Sequence, residues 1–201
     1  MVRKRLSAFF ALLTRTRTLG VPLVGTSMTV ASALPGGDPL AAALARGETP
    51  SLAMVANAGE PGGLDQLRSS IVDELNVLVG SLAMAHHVNR HDIVAAVVAG
   101  NTTMTQLFLE IDPRNIRRSP YVPTATMYPP FTAATVGINI NEHAIALMYP
   151  QVSSFVGGDI VAGVMGSGMY RQEELTLFLD IGTNAELVVG NKDWLACTAC
   201  S

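Results

Sequence analysis

Leu175-Thr176-Leu177-Phe178-Leu179 runs into Asp180-Ile181-Gly182-Thr183-Asn184, and Ala185-Glu186-Leu187-Val188-Val189-Gly190 leads away before Asn191-Lys192-Asp193 turns the chain again. Two apolar runs joined by a glycine-bearing polar turn predict a strand hairpin, with a third strand after the second turn. Such a hairpin can offer consecutive backbone amides and the Thr183 hydroxyl to a phosphate while Asp180 reaches a magnesium-bound water. A bare hairpin with a polar tip satisfies the same pattern, so residue type leaves both readings open. Cys197 and Cys200 follow at Cys-x-x-Cys spacing but do not open a helix, whose dipole would favour a thiolate. They read as core residues rather than a redox or metal site.

Working outward, residues 152–156 predict a short strand, Gly157-Gly158 a turn, and Asp159 the start of a helix through Ile160, Val161 and Val164. A glycine pair at a strand-to-helix corner lets a phosphate approach the helix N-terminus, with Asp159 holding a metal-bound water or acting as a base. The plainer reading of Asp159 is an ordinary N-cap. Further upstream, the β-branched run at 93–99 predicts a strand covered on both faces. Asn101 or Thr102 is placed to cap a helix over 102–111, whose buried side carries Met104, Leu107, Phe108 and Ile111. Leu64, Leu67, Ile71, Leu75, Leu78 and Leu82 recur at spacings of three and four and predict an amphipathic helix over 64–90. His86, His87 and His91 lie at its end with no Cys or carboxylate at ligand spacing, so they read as solvated. Helices alternating with buried strands indicate α/β architecture.

Residues 112–131 carry Pro113, Pro120, Pro123, Pro129 and Pro130 around Arg114, Arg117 and Arg118, which predicts a long ordered loop or a crossing between subdomains. The arginines suit a solvated face, or docking to an acidic partner or phosphate.

The 201 residues are 49% hydrophobic and 14% charged, which excludes fibrous and disordered classes. Charge is uneven: residues 1–58 carry a net of +4 and residues 59–201 a net of −7, so no global basic field favours nucleic acid. The longest apolar runs, near eight residues as at 93–100, fall far short of the roughly 20 needed to span a bilayer. Arg15 and Arg17 interrupt an export-like N-terminus, and two cysteines build no disulfide framework; a reduced, cytoplasmic setting is expected. Residues 1–58 show no sustained period and yield no predicted element. They read as a divergent N-terminus or as an out-of-frame stretch of a GC-rich gene that rejoins the frame near Ala58 or Gly59. The expected division is thus 1–58 as this poorly defined segment, 59–150 as a first α/β region, and 151–201 as the start of a second lobe, truncated at its C-terminus.

The strings VAGNTTMTQLFLEIDPR, SSFVGGDIVAGVMGSGMY and LFLDIGTNAELVVGNKDWLACTACS, three motifs in order over 59–201, resemble the C-terminal region of the reductive activators of corrinoid proteins, RACo. That resemblance implies a partial actin-like ATPase (ASKHA) fold, with mixed sheets and flanking helices. In that fold two lobes close around ATP and Mg2+. It implies that Asp180, Gly182, Thr183 and Asn184 form the second phosphate hairpin, that Gly157 and Gly158 precede Asp159, and that Asp159 is the acidic residue at the lobe junction. It further implies ATP-driven reduction of Co(II) to Co(I) on a corrinoid protein partner, and leaves a homodimer open. The 2Fe-2S ferredoxin domain of full-length members needs four cysteines, which this sequence does not have. Residues 23–29, LVGTSMT, lack the Asp of the family's first phosphate hairpin, and the adenosine-holding glycine segments are not found; the chain reads as an incomplete copy. A small-molecule phosphotransferase, or a non-catalytic module that docks a corrinoid protein, fits the same fold.

Overall fold

Strand β5 (Ile93–Gly100) is the axis of the fold, its neighbours on either side supplied by distant parts of the chain. The structure is a computed structural model that describes residues 58–181 and 184–200, together with four strands nearer the N-terminus. These are β1 (Lys4–Arg5), β2 (Ala8–Thr14), β3 (Thr18–Leu23) and β4 (Ser27–Met28). Gly182 and Thr183 lie outside the described residues.

β2 runs antiparallel to β5 and to β3, and β1 pairs with β4, so the aperiodic first segment does contribute strands. The run AFFALLT has no polar alternation, so β2 leaves no period-two signal. On the other side β5 pairs in parallel with β7 (Ile145–Met148), and β6 (Phe131–Thr132) closes the five-stranded order β3-β2-β5-β7-β6. Ile93, Ala96 and Ala99 are buried, as expected for a strand covered on both faces.

Helix α1 (Gly63–Ala85) and helix α2 (Thr102–Phe108) pack on this sheet, each shorter than the sequence predicts. Both stop at a non-glycine residue in the left-handed region, His87 at φ 53° and Glu110 at φ 58°. Val88 N then donates to Ala83 O and Ile111 N to Gln106 O, at 2.8 Å each, bonds that reach back past the last turn and close it. The signal normally expected there is glycine, which is why both ends are read too late. The buried stripe of α1 passes through Leu67, Ile71, Val72, Val79 and Ala83, with Leu64, Leu75 and Leu82 packed at its margin.

Residues 152–156 form successive bends, not the expected strand. Ser153 Oγ accepts from the amides of Phe155 and Val156, a local arrangement that competes with ladder pairing. Helix α3 (Gly158–Ser167) begins there and packs against β5, β2 and β8, joining the larger sheet to the antiparallel meander β8 (Thr176–Ile181), β9 (Ala185–Gly190) and β10 (Leu195–Cys200). β8 continues through Asp180 and Ile181, so Asp180 is a strand residue rather than part of the turn. One face of the meander covers α3 through Phe178, Val188 and Ala199; the other leaves Leu177, Leu179 and Ile181 exposed. Cys197 and Cys200 are free and exposed on β10, which corrects their reading as core residues: β10 is an edge strand, and Ala199 is its contribution to the packed cluster.

Leu107 is fully buried whereas Leu177 is 55% exposed, which separates two otherwise equal truncations. Leu107→Ala should cost about 3 kcal/mol in urea unfolding, and Leu177→Ala less than about 0.5 kcal/mol.

Candidate functional site

The parallel strands β5 and β7 end side by side, and α2 and α3 depart from their C-terminal ends, the crevice where open α/β sheets place ligands. Asn101 Oδ1 accepts from Met104 N at 2.8 Å and caps α2, one of the two caps expected. Thr102 turns inward instead, donating to Ser153 O at 2.6 Å and to Gln151 Oε1 at 3.1 Å.

Gln151 is the fastener of this corner. Its buried amide accepts from Thr102 Oγ1 and, at 2.8 Å, from Gly158 N, while Nε2 donates to Thr105 Oγ1 and Tyr149 O at 3.2 Å each. Every hydrogen-bonding capacity of the side chain is used. The glycine pair has a steric reason for its bareness. A Cβ on Gly157 would lie 2.5 Å from Asn101 Cα and 2.9 Å from Gly100 O, and one on Gly158 would lie 2.9 Å from Tyr149 Cβ. Space at the corner is taken by neighbouring chain, and the Gly158 amide is taken by Gln151.

Gly157 is the N-cap of α3, so Asp159 sits inside the first turn. Its Oδ1 accepts from Ile160 N at 2.9 Å. Four residues on, Gly163 lies flat against the Phe178 ring, where a Cβ would come within 2.4 Å of Cζ. Asp159 and Gly163 share a helix face, Phe178 and Asp180 share a strand face, and Asp159 lies within reach of the Asp180 charge. Across the hairpin Asp180 is registered directly opposite Glu186 of β9. Asn184 is partly buried at the hairpin tip.

Burial pushes the Asp159 carboxyl up to about 7, opposed by the Ile160 amide and reinforced by the charges of Asp180 and Glu186. Glu186 is also raised, by burial first and by Asp180 second. None of the three carboxylates forms an ion pair among the described residues. Nor do any three His, Cys, Asp or Glu among those residues converge closely enough to ligate one metal directly. His86, His87 and His91 are exposed.

Glu186 and Gln151 are the site residues that sequence reading missed. The period-two alternation from Asp180 through the hairpin was enough to find Glu186. For Gln151 the sequence holds no signal, since its partners come from α2, from Tyr149 just past β7, and from α3.

These features place the chain in the actin-like ATPase class: the family model of the C-terminal domain of RACo, the ASKHA domain, matches residues 174–201, and that of the RACo middle region matches residues 52–172. The corrinoid activation enzyme RamQ of Eubacterium limosum is 30% identical over 146 residues, covering 71% of this chain and 24% of that protein. A solved structure of a reductive activator for corrinoid, iron-sulfur protein superposes with a TM-score of 0.74 at 46% identity, covering 78% of this chain and 25% of that one. The chain belongs to the RACo family of reductive activators of corrinoid proteins, and it spans about a quarter of the length of these relatives. Among the described residues no helix is long and apolar enough to cross a membrane.

A carboxyl raised from 3.8 to about 7 binds its proton more tightly in the folded chain, so the stability this group contributes is full at low pH and is lost as pH rises between those values. Asp159→Asn should therefore leave stability at pH 4 nearly unchanged and raise it at pH 8 by roughly 4 kcal/mol, read from urea unfolding at both pH values.

Proposed function

We propose that this chain contributes the phosphate-holding part of an ATP-dependent activator that returns a corrinoid protein from Co(II) to Co(I). The observation that carries the reading is the seating of α3 on β8, which sets Asp159 over the cross-strand pair Asp180 and Glu186 beside the hairpin turn. Like charges opposed across a ladder are unfavourable, and here no described cation offsets them. A hydrated divalent cation fits such a set. The donors are hard oxygens, and Mg2+ keeps several of its waters, so carboxylates too dispersed for direct ligation can hold it through them.

In this reading Asp180 and Glu186 would hold the hydrated cation, and Asp159, whose carboxyl is pushed up to about 7, would hold or accept a proton at its oxygen. By the family resemblance, Gly182, Thr183 and Asn184 would be the residues that hold phosphate. Gly157 and Gly158 serve by letting α3 sit close, with no phosphate contact assigned to them. Mg-ATP, when bound, supplies the free energy of phosphoanhydride cleavage. The electron comes from a reduced donor outside these residues, the role of the iron-sulfur domain in full-length members. The names of the relatives support a corrinoid protein as partner. A cytoplasmic setting would keep the exposed thiols of Cys197 and Cys200 reduced.

The test is Asp180→Asn in a full-length activator that carries these residues, with Asp193→Asn as control. ATP-dependent formation of Co(I) should fall at least about tenfold for Asp180→Asn, equivalent to about 1.4 kcal/mol, and stay unchanged for the control. Equal activity in the two variants at matched thermal stability would remove Asp180 from the site.

A further inference from the structure

Arg117 and Arg118 have no place in the site just described, and neither has the aromatic pair beside them. Tyr121, Val122, Val152 and Phe155 are each more than half exposed, and the Tyr121 and Phe155 rings lie 6.1 Å apart between centroids, tilted by 50°. Their display is built into the backbone. Tyr121 adopts φ 60°, a conformation that bulky residues avoid unless their surroundings enforce it. Tyr121 N donates to Arg118 O at 2.6 Å, and the buried Ser154 donates from Oγ to Tyr121 O at 2.5 Å. The turn at 118–121 is thereby fixed to the bend at 152–156, and two exposed arginines are held at the edge of an exposed aromatic patch.

We propose that this surface docks an acidic protein face with a small apolar centre, and that the corrinoid protein provides it; only the partner's identity rests on the reading above. Charge complementarity selects the occupant. Residues 59–201 hold seven Lys and Arg against fourteen Asp and Glu, yet three of the seven fall within 114–118. Asp112 engages Arg114 at 2.6 Å, while Arg117 and Arg118 have no ion-pair partner among the described residues. Arginine beside aromatic side chains is the composition of binding hot spots. Two arginines unpaired among the described residues, in an otherwise acidic region, cannot neutralise a phosphate track, which disfavours nucleic acid. The patch also lies on turns with no amphipathic helix to enter a lipid surface.

The docking surface is joined to the carboxylate site by a very short path. Phe155 lies four residues before Asp159, and Ser153 O, two residues before Phe155, accepts from Thr102 at 2.6 Å.

Biolayer interferometry of the 201-residue chain against a Co(II)-loaded corrinoid protein tests the proposal. Binding should weaken as salt is raised. It should fall at least about tenfold for the double variant R117E/R118E and for Phe155→Ser. Arg171→Glu, at an arginine over the Tyr170 ring, should leave it unchanged. All the substituted side chains are exposed, so thermal melts should match the wild type. Unaltered binding by R117E/R118E and Phe155→Ser would overturn the docking surface while leaving the corrinoid partner in place. No binding by the wild type would remove that partner and the docking with it. Preferential binding of phosphatidylserine vesicles or duplex DNA through the same arginines would overturn the choice of a protein.

Discussion

A single backbone contact sets the distance on which the site depends. The N-terminus of α3 lies against the turn after β5 so closely that a Cβ on Gly157 would sit 2.5 Å from Asn101 Cα. Only glycine permits that approach without displacing backbone. Gln151 then locks it, bonding to Thr102 and Thr105 on α2 and to the Gly158 amide that opens α3. Downstream on the same helix, the bare flank at Gly163 admits the Phe178 ring of β8. Two glycines on α3 and its cap thus dock one helix to two sheets, and the position of Asp159 relative to Asp180 follows from that docking.

The electrostatic result is a folded chain that holds carboxylates against their preference. Burial alone moves Asp159 toward the neutral form, and Asp180 with Glu186 adds to the shift. Ordinary turn or cap residues gain stability from their charges, whereas this arrangement loses some. Strongly displaced carboxyls in a crevice at strand ends mark functional sites more often than structural ones. Within the proposed activator, a cation held by these carboxylates would relieve the repulsion, and the stability given up in the unliganded chain would become preference for the metal-nucleotide.

Much of this was legible in the sequence because it rests on local chemistry. The β-branched run of β5, the Asn101 cap, the helix beginning at Asp159 and the β8–β9 hairpin all follow from adjacent residues. What was not legible depends on tertiary partners or on local bonds that override propensity. The serine pair inside 152–156 turns a β-branched stretch into bends. His87 and Glu110 end helices at positions where glycine is the usual mark. β2 looks featureless because its run AFFALLT carries no polar alternation, and one of the strands it pairs with is separated from it by some eighty residues. Cys197 and Cys200 seemed suited to a core, but alternation on an edge strand does not say which faces are covered.

The central claim is that Asp159, Asp180 and Glu186 act as one electrostatic unit made to receive a metal-bound nucleotide. Carbon-13 NMR titration of the Asp159 carboxyl, with and without Mg-ATP, addresses it most directly. The account predicts a midpoint near 7 in the unliganded chain, moving down by about one unit or more on addition of Mg-ATP as the cation favours the ionised form. A midpoint near the ordinary 3.8, unmoved by Mg-ATP, would contradict it.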